Sequence, residues 1–207
     1  MIVGLTGGMG CGKSTASRLF SELGFRLIDC DAIVREEVLV DPAIVSTIIG
    51  HFGPSVAPGG VINRSALAAK VFVHPDELRW LEALIHPEVS SRWRARTAAE
   101  PKAFWVVEVP LLFENDLHKL FDFVVCVACS HDKQLVRLKQ RGVSRELAEQ
   151  RIAQQLPLSR KVELSDFVLS NDGSPEFLKS QVTCLATRLM SELCTSRPTS
   201  PSLLPFP

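Results

Sequence analysis

Nine residues near the amino terminus, Gly7-Gly8-Met9-Gly10-Cys11-Gly12-Lys13-Ser14-Thr15, match G-x-x-x-x-G-K-S/T and constrain the chain more than any other stretch. They follow a short apolar run at 1–6 and lead into residues 14–23, where Ala16, Leu19, Phe20 and Leu23 recur at helical spacing until Gly24. Strand, loop and helix in that order are the context in which such a loop cradles phosphate. Glycines let backbone N–H groups turn inward, and the helix that follows adds the positive end of its dipole. On this reading Gly8, Gly10, Cys11, Gly12, Lys13, Ser14 and Thr15 bind a nucleotide. Lys13 reaches the β- and γ-phosphates, and the Ser14 hydroxyl holds magnesium, which prefers oxygen ligands. Cys11 serves through its backbone, and its thiol is not expected to be catalytic. The plain alternative is a glycine-rich turn that binds nothing, and the flanking strand and helix argue against it.

Length and charge narrow the surroundings of this loop. A chain of 207 residues suits one domain with room for an inserted subdomain. Lys plus Arg and Asp plus Glu stand at 23 each, so no global field draws the chain to nucleic acid or to an anionic membrane, and anion binding must be local. Of the six cysteines only Cys126 and Cys129 form a C-x-x-C, which ends an apolar run instead of opening a helix and has no second pair to complete a zinc site. Incidental thiols in a reducing compartment are expected. No basic residue precedes Lys13 and no apolar run approaches the roughly 18 residues that span a bilayer, so the expected location is the cytoplasm. The sequence sets no oligomeric state.

Further along, the pattern is α/β. Residues 25–28 read as a second strand whose carboxyl end delivers Asp29-Cys30-Asp31, and ligands of open parallel sheets gather at such ends. Asp31 is either the N-cap of a helix over 32–38 or a functional carboxylate, and a functional role for at least one of the two acids, with Asp31 preferred, is the expectation. From 41 to 101 helical periodicity without strand signals, and turns at Gly53-Pro54 and Pro58-Gly59-Gly60, describe a helical insertion over the acceptor side. Within it, His86 precedes Pro87 and is expected to be extended, so that its ring either faces a ligand or has a structural role, as a lone histidine more often does. Residues 104–109, 121–127 and 167–169 read as further buried strands, with Pro110 turning the chain into Leu111-Leu112-Phe113-Glu114. The charged stretch 132–155, broken at Gly142 and bearing Arg137, Lys139, Arg141, Arg145 and Arg151, reads as a lid that excludes water and neutralises phosphate charge. A last helix covers 175–193, and the proline- and serine-rich 196–207 reads as a disordered tail.

The motifs together resemble one family. Gly4 to Ser14, Asp29-Cys30-Asp31-Ala32-Ile33, Ile85-His86-Pro87-Glu88-Val89, Val107-Glu108-Val109-Pro110-Leu111-Leu112-Phe113-Glu114 and Asp166-Phe167-Val168-Leu169-Ser170-Asn171-Asp172-Gly173 are similar, in order and spacing, to dephospho-CoA kinases. The likeness runs from residue 1 to about 190 and departs mildly at Cys11 and Cys30, where the family usually carries small residues such as serine and alanine. It implies a three-layer P-loop kinase fold, with a five-stranded parallel sheet, a helical acceptor-binding insertion and a lid. Residues 1–195 would form one domain, with core 1–40 and 102–195, insertion 41–101 and lid 132–155. The implied reaction is ATP-dependent phosphorylation of the ribose 3′-hydroxyl of dephospho-CoA, the last step of coenzyme A synthesis, with magnesium. Gly10 to Thr15 would bind ATP, Asp31 would lie beside the acceptor hydroxyl, His86, Pro87, Leu111 and Leu112 would contact the acceptor, and Arg137 and Arg141 would meet phosphate. Other small-molecule kinases, for gluconate or shikimate, share the cradle without this combination. A GTPase-like switch lacks its Asn-Lys-x-Asp here.

Overall fold

The computed structural model describes residues 1–71 and 73–191, so the expected tail at 196–207 lies outside the described residues. Among the described residues, Met1–Ile28 and the chain from Pro101 to Ser191 form one compact unit, and Asp29–Glu100 forms another.

The first unit begins with strand β1 (Ile2–Gly7), the phosphate-type loop, helix α1 (Lys13–Glu22) and strand β2 (Arg26–Asp29). Gly24, at φ +95°, turns the chain from α1 into β2. The second unit follows. Helix α2 (Cys30–Ile33) runs on as a π-helical turn over Val34–Val38. Asp29, not Asp31, is its cap: one carboxylate oxygen of Asp29 accepts from the N–H of Asp31 at 2.9 Å and of Ala32 at 3.1 Å. The helix starts at Cys30 rather than Ala32, which moves the cap to the last residue of the strand.

Helix α3 (Pro42–Phe52) is capped by Asp41, and α4 (Arg64–Val71) and the long α5 (Pro75–Ala99) complete the unit. The unit starts at Asp29 instead of 41 because α2 and its π turn pack on α5, burying Ile33 and Val38. Three of its arginines are engaged within it: Arg92 donates to Asp41 at 3.0 Å, and Arg96 pairs with Glu37 and Arg79 with Asp76. His51 stacks on Trp80 at 3.8 Å between ring centroids and meets Glu77 at 2.5 Å. His86 and Pro87 correct the expectation of an extended segment, since both lie inside α5. A proline in a helix interior forgoes one hydrogen bond, at roughly 3 kcal/mol. Here the face Leu81, Ile85, Val89, Trp93 and Thr97, repeating every four residues, is buried on both sides of Pro87 and outweighs that local loss.

The chain then returns to the first unit with β3 (Trp105–Glu108), β4 (Phe123–Ala128), α6 (His131–Gln140), α7 (Arg145–Ala153), α8 (Leu158–Leu164), β5 (Phe167–Ser170) and α9 (Pro175–Ser191). The five strands are ordered β2-β3-β1-β4-β5, with β1 parallel to β3 and β4, and β4 parallel to β5. Alternate residues Val3 and Leu5, Val125 and Val127, and Phe167 and Leu169 turn to one face and share a core with Phe20 of α1 and Leu178, Val182, Leu185 and Leu189 of α9. Intervening positions such as Gly4, Val124 and Cys126 are packed on the opposite face, where Leu112 and Phe121 press on Gly4. Burial on both faces explains why these strands read as continuous apolar runs.

Candidate active site

The loop between β1 and α1 is built from positions that reject a side chain. Gly7 has φ +144°, and a Cβ there would come within 2.2 Å of the Val127 carbonyl oxygen on the neighbouring strand. Gly12 has φ +98°, and a Cβ would meet Asn171 Nδ2 at 2.2 Å. Because Gly12 is also the N-cap of α1, no side chain caps the helix, and its first turn carries no acid. Such an N-terminus favours an anion. Lys13 opens the helix and folds back over the loop, its ammonium donating to the carbonyls of Gly7 and Gly8 at 3.2 Å each. Ser14 is exposed at the helix start.

The arm 132–155 is tied to this loop at both of its roots. Gln134 donates to the Met9 carbonyl at 2.7 Å, and Gln155 accepts from the Met9 N–H at 3.2 Å. Arg137 donates to the Gly10 and Cys11 carbonyls at 3.4 Å each and to the Asn171 carbonyl at 2.8 Å, while Asn171 Nδ2 donates to the Cys11 carbonyl at 2.8 Å. Asp172 fixes the entry to α6 by accepting from the Ser130 N–H at 2.9 Å and hydroxyl at 2.7 Å, bonds that hold its carboxyl below the usual carboxylate range. The two arginines picked from sequence therefore separate. Arg137 is at the loop, whereas Arg141 sits at the carboxyl end of α6 on the surface.

Glu108, where β3 ends, accepts from the Ser17 hydroxyl of α1 at 2.7 Å and so stands beside the cradle helix. Glu114 accepts from the Leu156 N–H at 2.9 Å and pairs at 2.8 Å with Lys161, a fully buried lysine that also donates to the Pro110 carbonyl at 2.9 Å. This network joins the end of the arm to the turn after β3. In that turn Leu112 is a core residue packed on Gly4, while Leu111 keeps partial exposure. In the other unit, Asp31 is in the first turn of α2, and Arg35 feels the charge of both Asp29 and Asp31. Burial lowers the pKa of His86, with Glu82 opposing the shift, which favours the neutral ring.

Sequence reasoning missed Gln134, Gln155, Glu108, Asn171 and Lys161 as members of the site. Glu108 had a signal, an acid ending an otherwise apolar strand run, and Asn171 sat in a recognised turn. Two glutamines and a lysine among many polar helical residues carried none.

A parallel sheet whose central strand runs into a glycine-lined loop and a lysine-bearing helix start, with an arginine-carrying helical arm tied to that loop, defines an α/β phosphotransferase of the P-loop class. The family model described as CoaE, dephospho-CoA kinase, matches residues 1–176. A dephospho-CoA kinase of Gloeobacter violaceus is 40% identical over 183 residues, covering 87% of this chain and 89% of the relative. That of Escherichia coli K12 is 39% identical over 188 residues, covering 89% and 90%. Among solved structures, the dephospho-CoA kinase from Campylobacter jejuni superimposes with a TM-score of 0.66 at 25% identity, over 93% of this chain and 96% of that one. The chain belongs to the dephospho-CoA kinase family. It is a kinase that phosphorylates a small-molecule acceptor in the last step of coenzyme A biosynthesis. Among the described residues no helix is long and apolar enough to cross a membrane.

Proposed function

We propose that the chain transfers the γ-phosphoryl of ATP to the ribose 3′-hydroxyl of dephospho-CoA in the cytoplasm, with the following division of work. The backbone N–H groups of Gly10 to Thr15 and the start of α1 take the phosphates, and Lys13 swings from the Gly7 and Gly8 carbonyls onto the β- and γ-phosphates. Magnesium fits the oxygen donors at this edge, the Ser14 hydroxyl and the Glu108 carboxylate, which are hard ligands of the kind it prefers. When bound it neutralises and orients phosphate oxygens. Asp31 takes the proton of the acceptor hydroxyl, for which a carboxylate just past a strand's carboxyl end is suited. His86, Pro87 and Leu111 belong to the acceptor side. Arg137 moves its guanidinium from loop carbonyls to phosphate as charge develops, and Arg141 meets phosphate only when the arm closes.

The observation that carries the reading is the Lys13 ammonium folded back onto the Gly7 and Gly8 carbonyls at a helix start that no side chain caps, in a loop whose glycines leave no room for a Cβ. The test is coupled ADP release over a panel of acceptors. Dephospho-CoA should be turned over, and adenosine, gluconate and shikimate should give only background. Equal rates with gluconate or shikimate would overturn the acceptor assignment.

A further inference from the structure

Two thiols that phosphoryl transfer does not use meet behind the cradle. Cys11 lies inside the loop and Cys129 just beyond β4, 118 positions away, with their sulfurs 3.6 Å apart and the Cys129 S–H donating to Cys11. Both are buried, and the Cys11 sulfur lies beneath Gly8, 3.0 Å from where a Cβ would stand. The C-x-x-C of the sequence thus contributes only one member to the close pair. The partner of Cys129 is a loop residue, not Cys126.

We propose that Cys11 and Cys129 form a modification site, a dithiol that a hydroperoxide converts to a disulfide, fastening the cradle to the end of β4. In the first step the Cys11 thiolate attacks the O–O bond of hydrogen peroxide and becomes a sulfenic acid, releasing hydroxide, which takes up the proton lost from the thiol. In the second, the Cys129 sulfur attacks the sulfenic sulfur, the S–S bond forms and water leaves with the Cys129 proton. Peroxide gains two electrons, the dithiol loses two, and two waters result.

The surroundings favour this assignment of roles. The hydrogen bond from Cys129 lowers Cys11 from 9.0 to about 7, with Lys13 helping and burial opposing. The same bond, together with burial, pushes the Cys129 thiol up. Burial pushes Cys126 up to about 12, which keeps it an unreactive thiol. A bridge brings the sulfurs to about 2.0 Å, drawing the loop toward β4. The carbonyl of Cys11 is the acceptor for both Arg137 and Asn171, so that displacement disturbs the loop where it is most tightly held. The effect on rate rests on the cradle reading, but the formation of the bridge does not.

The test treats the full chain with hydrogen peroxide, alkylates the remaining thiols and maps proteolytic peptides by mass. The exposed Cys184 serves as an internal reference for non-selective oxidation. The expected result is a peptide pair joining Cys11 to Cys129, about 2 Da lighter than the sum of its reduced parts. Turnover should fall on the order of tenfold or more and be restored by dithiothreitol. Cys129→Ser should keep basal turnover, form no bridge and leave Cys11 as a sulfenic acid that dimedone captures. Cys11 and Cys129 both remaining alkylatable while Cys184 oxidises would overturn the proposal, and a bridge that leaves turnover unchanged would overturn its effect on the cradle. Because the map is read by mass, its failure is distinguishable from any failure of the kinase reaction.

Discussion

Asp29 and Asp31 are two residues apart and are given different work. Asp29 caps α2 through two backbone N–H groups, so replacing Asp31 leaves the helix start intact. As the proposed base, Asp31→Asn should lower turnover by ~10²–10⁴-fold, about 3–5 kcal/mol at the transition state, with a small change in the KM for ATP. Asp29→Ala should instead lower stability by about 1 kcal/mol through loss of the cap. Steady-state kinetics and thermal unfolding of both variants separate the roles. Turnover of Asp31→Asn within about threefold of wild type, with Asp29→Asn inactive, would assign the base to the other acid. Lys161 makes a second case. Its amine is fully buried against Glu114 and the Pro110 carbonyl, so Lys161→Met strands a carboxylate that is itself only 18% exposed. Loss of one partner of a buried pair costs about 3–5 kcal/mol, whereas Lys161→Met with Glu114→Gln should recover much of it. Denaturant midpoints measure both, and no recovery in the double variant would show that Lys161 acts by packing alone.

At the scale of elements, α5 and the arm make contrasting demands. Pro87 leaves the Ala83 carbonyl without its helical N–H, so Pro87→Ala should raise stability by about 1–3 kcal/mol and the unfolding temperature with it. If Pro87 sets the acceptor contact of α5, the KM for dephospho-CoA rises in the same variant, and an unchanged KM would remove Pro87 from the acceptor side. In the arm, α6 buries Gln134 and Leu138 and is tied through Arg137, whereas α7 buries only Ala148. The α7 amides should therefore exchange faster than those of α6 without ligand and slow when ATP and acceptor are both present. Equal protection of α7 with and without ligands would leave it a solvated helix and end the lid reading. The charged sequence of α6 conceals one buried stripe, Gln134 and Leu138.

At the scale of the molecule, the residues proposed for the nucleotide come from one compact unit, and Asp31, His86 and Pro87 come from the other. ADP release from ATP alone should be slow and should rise by at least ~10²-fold on adding dephospho-CoA, since the hydroxyl that Asp31 would deprotonate arrives only with the acceptor. A coupled assay with and without acceptor measures this, and rapid acceptor-independent hydrolysis would point to a nucleotide-driven switch instead. By itself the sequence determined the glycine-lined loop between strand and helix, the five strands and the family, because glycine backbone freedom, a lysine at a helix start and apolar runs act locally and are written in adjacent residues. It also marked the two acids at the carboxyl end of β2 without ranking them as cap and non-cap, because a shift of helix start by two residues moves the cap and propensity does not fix helix ends that closely. Only the tertiary structure decided that His86-Pro87 stays helical, since the burial of a 25-residue helix face outweighs one lost hydrogen bond. It alone brought Gln134 and Gln155 to one residue, Met9, Lys161 to Glu114 and Cys129 to Cys11, because contacts between residues tens of positions apart depend on how strands and helices stack, and no local pattern records that.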